Sequence, residues 1–290
     1  MYKFGIVILH YLSLKETVLL IDEIINSEAF GKLNIYVVDN GSFNNSGKEL
    51  LKKYRNFKNI KIILNDKNLG FAKGNNLGIA RAIKDGCDFV ICSNNDIEVK
   101  ITDKFLNKII EVYETDRNIA VVGPRILTKS GEEQNPLLVN RPKFNTLKAR
   151  IIYTTKVGKI LYYLKNIYVF PFISKIKRKR NIIKENLSSG YVYALHGSFL
   201  IFTPTFFKHF QGFDEGTFLY GEEIILAEML YRKNLKSYFL SDIEVLHKED
   251  VSTDFFLKTF NKNKLKFIVK NNYRSFSYFY KKYIFGEHTK

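Results

Sequence analysis

Residues Phe89-Val90-Ile91-Cys92-Ser93-Asn94-Asn95-Asp96 decide how this chain folds. A short apolar run stops abruptly at small polar residues, and the last of them is a carboxylate. A strand buried on both faces reads this way when it delivers an acid to the rim of a sheet. The stretches before it repeat the pattern. Lys3 to Tyr11, Asn34 to Asp39 and Ile60 to Asn65 are largely apolar and strand-length, and Ile119 to Gly123 adds another. Segments with helical periodicity separate them, near 14–28, 47–54 and 103–114, and a loop with Gly70 and Gly74 leads to a further helix through Ala82. Continuously apolar strands interleaved with helices specify an α/β fold, a Rossmann-like, mostly parallel sheet with helices on both faces.

Ligands of such sheets bind beyond the carboxyl ends of the strands. Here those ends are Tyr11, Asp39, Asn65 and Asp96, so two acids and two polar residues share one rim. No G-x-G-x-x-G follows the first strand and no G-x-x-x-x-G-K-[ST] occurs, which removes the main support for a dinucleotide or P-loop site.

With 290 residues and 46% hydrophobic content the chain can bury a substantial core. Cys87 and Cys92 have neither a zinc spacing nor a disulfide framework and read as reduced thiols. No signal peptide is recognisable at Phe4 to Leu9, so a cytoplasmic location is expected. The net charge of +17 is uneven. Residues 141–184 hold 13 Lys/Arg and no acid, residues 256–290 carry net +8, and the remainder nets −4. A surface for anionic lipid, nucleic acid or polyphosphate is implied in those two segments alone.

The division expected is a domain over 1–254, interrupted by an insertion at 141–186, and a basic aromatic helical tail over 255–290. In the insertion, Ile151–Ile173 is broken by Lys156, Lys159, Lys165 and Pro171. It is a poor spanning helix but suits a segment lying on an anionic leaflet, with a solvated basic insertion as the plainer alternative. Beyond it, Leu195–Thr203 reads as a strand, Gly212–Glu215 as a turn, Glu222–Lys233 as a helix, and Ser237–His247 as strands ending on a histidine. In the tail, Lys258, Lys262, Lys266 and Lys270 form one stripe beside Phe256, Phe260 and Phe267.

Asp39 and Asp96 at strand ends, Glu222 and Glu223 opening a helix after Gly221, and His247 ending a strand are the parts that transfer from an activated sugar needs. A departing nucleoside diphosphate builds negative charge, which a divalent metal neutralises. Asp96 suits such a hard ion, and His247 adds a second ligand if the ion is manganese rather than magnesium. Asn94 and Asn95 bring no second carboxylate, so affinity is expected to be modest until the donor's phosphates complete the shell. Glu223 or Glu222 is the carboxylate to take a proton from an attacking hydroxyl. Asp39 can accept from a pyrimidine N–H or a ribose hydroxyl. Singly, each has a plainer reading as a turn cap, a helix-dipole partner or a satisfied polar residue.

The motifs carry a resemblance. Val37-Val-Asp-Asn-Gly-Ser42, Asn68-Leu-Gly-Phe-Ala-Lys-Gly-Asn-Asn-Leu-Gly78, Asn94-Asn-Asp96, Gly212-Phe-Asp-Glu215, Phe218-Leu-Tyr-Gly-Glu-Glu223, Val245-Leu-His247 and Asn263–Lys270 run in order along the chain. Together they resemble the family 2 glycosyltransferases of the GT-A fold, in the rhamnosyltransferase-like branch that builds bacterial cell-surface polysaccharides. The resemblance implies inverting, Mg- or Mn-dependent transfer from a UDP- or dTDP-hexose to a polyprenyl-diphosphate-linked glycan in capsule or O-antigen synthesis. A lipid-borne acceptor would account for the two basic aromatic segments, so peripheral attachment to the inner face of the cytoplasmic membrane is expected; a homo-oligomer is left open.

By the resemblance, Asp39 holds the base, and Asn68, Gly70, Lys73 and Asn75 line the donor site. Tyr11, Asn94 and Asn95 are further donor contacts, Asp96 binds metal with His247 assisting, and Glu223 is the general base with Glu222 as the alternative. Three positions depart from the pattern. The base is Glu rather than the commoner Asp, Ile225 stands where an acid is frequent, and the first strand ends His-Tyr-Leu, which weakens Tyr11 as a contact. Competing readings are a nucleic-acid or polyphosphate binder, which lacks a recognition motif and would meet an acidic rim; a nucleotidyltransferase, which lacks a Gly-rich opening loop; and a degenerate, non-catalytic transferase subunit. No nucleic-acid partner is expected.

Overall fold

The computed structural model describes residues 2–169, 187–248 and 264–286. The first half is built from βα units. Strands β1 (Phe4–His10), β2 (Leu33–Asp39), β3 (Ile60–Leu64) and β4 (Phe89–Asn94) pair in parallel in the order β3-β2-β1-β4. Helices α1 (Leu14–Ile25), α2 (Ser46–Tyr54) and α3 (Phe71–Lys84) connect them. Successive side chains enter different cores. Ile6, Ile8, Ile35, Val37, Phe89 and Ile91 join one buried cluster, while Val7, Tyr36, Val38, Val90 and Cys92 join the other. Period-two burial on both sides is the reason these strands are apolar without interruption.

After β4 the chain makes a tight turn through Asn95 and Asp96 into the short β5 (Ile97–Glu98), then α4 (Asp103–Thr115) and β6 (Ile119–Thr128). Asp96 therefore sits in a turn two residues past the strand that was expected to end on it. Helices α5 (Leu147–Thr154) and α6 (Lys156–Leu164) follow. They break at Thr155, whose extended backbone ends α5 and whose hydroxyl caps α6 by accepting from Gly158 N at 2.9 Å. The single apolar segment expected from Ile151 onward is thus two helices, and its part beyond 169 lies outside the described residues.

The second half completes the sheet. The expected strand at 195–203 shortens to β8 (Phe199–Phe202), because His196–Ser198 turn across the site described below. It pairs antiparallel to β4 and β6. The region expected as several strands is one, β9 (Lys236–His247), parallel to β6 with register shifts and antiparallel to β5 and to β7 (Gly190–Val192). The full order is β3-β2-β1-β4-β8-β6-β9-β5, and the long ladders are parallel. Helices α7 (Pro204–His209) and α8 (Glu222–Arg232) lie between β8 and β9 in the chain.

A third core joins the C-terminal part to this body. Ile224, Ile225 and Ala227 of α8 cluster with Phe144, Tyr193, Phe279 and Tyr283. Phe279 ends α9 (Lys264–Phe279) and Tyr283 lies in the turn that follows. Asp214 fastens the same region. It accepts from Tyr278 Oη at 2.7 Å, from Lys282 Nζ at 2.7 Å and from Tyr283 Oη. Burial would raise this carboxyl, but the three donors outweigh it and hold it below the usual range. Of the lysine stripe expected in the tail, Lys266 and Lys270 are exposed on α9. Lys258, Lys262, Phe256, Phe260 and the basic run Lys175–Arg180 lie outside the described residues.

Candidate active site

One cleft of about 550 Å³ opens at the carboxyl ends of β1 and β4. The turn after β4 puts Asp96 on its wall, and β5 supplies the partner. In the antiparallel β5–β9 pairing Ile97 faces His247, and Lys248 N donates to Asp96 O at 2.9 Å. His247 is thereby held beside Asp96, with Nε2 3.4 Å from Oδ1. Both residues are buried.

Protons decide what this pair can hold. His247 Nδ1 is 2.7 Å from Gln134 Oε1. The amide oxygen accepts, which assigns the ring proton to Nδ1 and leaves a lone pair on Nε2. Asp96 Oδ1 is buried and has no hydrogen-bond partner among the described residues. In the neutral ring, Nε2 and Asp96 Oδ1 present lone pairs to each other across 3.4 Å, an arrangement that a cation relieves. The pair fits a small divalent ion, whose cis ligands at ~2.1 Å stand about 3 Å apart. No group of three or more His, Cys, Asp and Glu converges on a metal position among the described residues. The remaining coordination would fall to the ligand or to water.

The glutamates enter from the opposite wall. Tyr220 and Gly221 both adopt left-handed backbone, with φ of 73° and 84°, and α8 starts immediately after them. Its first turn therefore begins at the cleft and carries Glu222 and Glu223. Glu222 is buried and accepts from Thr217 Oγ1 at 3.1 Å. Burial first, and then the Glu223 charge, push its carboxyl up to about 8. Glu223 is also raised by burial, against the backbone N–H groups of Glu223 and Gly197 that favour its anion. Gly197 leaves no room for a side chain: a Cβ there would lie 2.9 Å from Glu223 Oε1.

A further wall of the cleft is built by Asn40. Its amide donates to Asn68 Oδ1 and Gly70 O, both at 3.1 Å, and its oxygen accepts from Leu69 N at 2.9 Å. Gly70 has φ of 85°, and a Cβ on it would lie 2.2 Å from Phe218 O. That close approach lets Phe71 N donate to Phe218 O at 2.9 Å, joining the 67–70 loop to the 218–220 loop across the cleft.

The cleft brings together Tyr11, Asn68, Gly70, Asn94, Asn95, Asp96, Glu222, Glu223 and His247. Asn95 turns its amide away, onto Ser13 Oγ at 2.8 Å and Thr17 Oγ1 at 2.9 Å. Asp39, Lys73 and Asn75 are not on the cleft wall. Asp39 is buried behind Asn40 and accepts from Ser42 N at 3.1 Å, with its carboxyl raised by burial. Lys73 is exposed on α3, and Asn75 is buried with its amide on Phe71 O at 3.1 Å. His10, the departure at the end of β1, is pinned between Thr17 Oγ1 and Ser46 Oγ, both at 2.7 Å, and burial lowers it to about 4. It is a neutral core residue.

Several wall residues were not read from the sequence as site residues: Asn40, Gln134, His196, Gly197, Phe218 and Phe267. Asn40 lay inside the quoted Val37–Ser42 motif. Gln134 and His196 lie in irregular chain with no periodicity to mark them.

The sequence model of the family described as "Glycosyl transferase family 2" matches residues 6–172. The chain belongs to glycosyl transferase family 2. Among solved structures, this family 2 member is similar to S. aureus TarS, with 18% identity and a TM-score of 0.52 over 88% of this chain and 38% of that one. TarS 1-349 in complex with UDP-GlcNAc gives 18% identity and 0.52, over 86% and 59%. GalNAc-T7 with UDP, GalNAc and Mn2+ gives 14% and 0.58, over 99% and 57%. The family 2 chain thus spans between 38% and 59% of the length of these structures. It shares their fold, the GT-A fold expected from its motifs. No curated protein matches it.

Proposed function

We propose that this family 2 chain transfers a hexose, with inversion, from a UDP- or dTDP-sugar to a lipid-linked glycan of a bacterial surface polysaccharide. The observation that carries the proposal is the orphaned Asp96 Oδ1, 3.4 Å from His247 Nε2, in the cleft that also holds Glu223. Asp96 and His247 would hold Mg or Mn, and the ion when bound would neutralise charge on the departing diphosphate. Glu223 acts as general base. It takes the proton of the acceptor hydroxyl as that oxygen bonds to the anomeric carbon, while the bond to the diphosphate oxygen breaks on the opposite face. The neighbouring Glu222, whose carboxyl is pushed up to about 8, keeps its proton at neutral pH and leaves the ionised role to Glu223. Asn40 holds the loop of Asn68 and Gly70 against the nucleotide. Tyr11 and Asn94 are further donor contacts, and Asp39 acts through the loop it braces at Ser42 N. The unit that does this is residues 1–254, with the tail packed on it.

The GT-A neighbours solved with UDP-GlcNAc and with UDP, GalNAc and Mn2+ support the donor class and the metal. A panel of nucleotide sugars, read by nucleoside-diphosphate release with a membrane lipid extract as acceptor, tests the proposal. One donor should release diphosphate in an EDTA-sensitive manner. Glu223→Gln should cut turnover by about 10²–10⁴-fold with donor affinity nearly intact. No release with any donor, or full activity in that variant, counts against it.

A further inference from the structure

Helix α6 turns an apolar stripe to solvent. Val157, Ile160, Leu161 and Leu164 fall at i, i+3, i+4 and i+7, on one helical face, and each is 50–64% exposed. On α5, Leu147 is 76% exposed and Ile151 shares its side of the helix. The other side of the pair is taken. Tyr153 stacks on Tyr280 with centroids 4.5 Å apart, and Tyr162 meets Tyr273 at 5.2 Å. Tyr273 Oη and Ser277 Oγ of α9 donate to the Ile152 and Tyr153 carbonyls at 3.3 and 3.1 Å. The tyrosines anchor the pair and its aliphatic residues face outward.

The charge around this face has one sign. Lys148, Arg150, Lys156, Lys159 and Lys165 are exposed, and residues 141–169 contain no acid. At about 100° per residue, Lys156 and Lys165 lie roughly a quarter turn to either side of the stripe. An aliphatic face flanked by long cationic side chains can enter an acyl boundary while its ammonium groups stay at the phosphate level.

We propose that the outward face of α5–α6 docks the chain on an anionic bilayer leaflet. The sign of the charge selects this occupant. A second copy meeting the same face would bring like cations together, whereas anionic headgroups complement them. The proposal deepens the lipid-linked acceptor reading and rests on it for its purpose. Helix α9 connects the two regions. The helix that anchors Ile152 and Tyr153 also donates from Ser275 Oγ to Leu219 O at 2.9 Å and presents Phe267 to the cleft. The docked face and one wall of the cleft are thus fixed to the same helix.

Flotation of the full chain with vesicles of phosphatidylcholine, with and without phosphatidylglycerol, tests the assignment. Binding should require the anionic lipid and weaken with salt. The double variant Ile160→Asp, Leu164→Asp should bind at least about tenfold more weakly, with an unchanged melting curve because both sites are exposed. Equal binding by variant and parent, or no binding to anionic vesicles, overturns the proposal. So does a dimer in sedimentation that the double variant abolishes while vesicles are ignored, which would assign the face to self-association. Diphosphate release from free nucleotide sugar is measured alongside. Release lost from the parent while vesicles still bind refutes the transferase reading alone, and the converse refutes docking alone.

Discussion

At the scale of single residues, the candidate metal pair depends on a side chain that is not one of the pair. Gln134 fixes the His247 tautomer through a 2.7 Å bond, so Gln134→Ala should weaken Mn2+ binding by about 10–100-fold, read by titration of the ion itself. Nothing in the sequence marks Gln134, because its role is defined by a residue more than a hundred positions later. Asp96 was legible, because a charge ending an apolar strand has few explanations. Glu222 gives a pH prediction. The proposed base must be ionised, so turnover should be lost as pH falls through the raised value. The coupling acts from the Glu223 charge onto Glu222, so Glu222→Gln, which puts a neutral amide where a protonated carboxyl stood, should leave that acid limb in place. It should also raise thermal stability at pH 8 and not at pH 4. A buried carboxyl with a raised value favours the folded state only at low pH, and that contribution is lost as pH rises from about 4.5 to about 8.

At the scale of elements, β1 to β4 and their helices were legible because both faces of each strand are covered, leaving an uninterrupted apolar signal. The second half was harder. The expected strand at 195–203 lost its first residues to the His196–Ser198 turn, which is held from distant chain by Asn135 Oδ1 accepting from His196 N and by Asn94 N donating to Ser198 O. Helix α8 explains the departure at Ile225. The residue is 2% exposed and belongs to the cluster of Phe144, Phe279 and Tyr283. Ile225→Asp, which restores the acid frequent at the matching place of the resemblance, should therefore destabilise this chain by about 3–5 kcal/mol, measured by denaturant titration. An unchanged midpoint would mean that the third core tolerates a carboxylate there.

At the scale of the whole molecule, the fold class and one side of the cleft follow from patterns within the first hundred residues, while the other side is assembled from distant chain. Loop closure could not be read from periodicity, and neither could the junction of α8 with α9, which rests on packing between segments that are each unremarkable alone. The β5–β9 pairing has a kinetic meaning. Ile97 and His247 are 150 positions apart, and an entropic cost of that kind delays contact until local units have formed. A refolding chain should protect the Val90–Cys92 amides from exchange before it recovers Mn2+ affinity, a sequence that pulse-labelled hydrogen exchange can time. Simultaneous recovery would mean that the sheet forms as one unit. Read in reverse, mild denaturant should open the β5 edge first, so that a population of chains keeps its secondary structure, loses its ion and regains it on dilution without ever having unfolded.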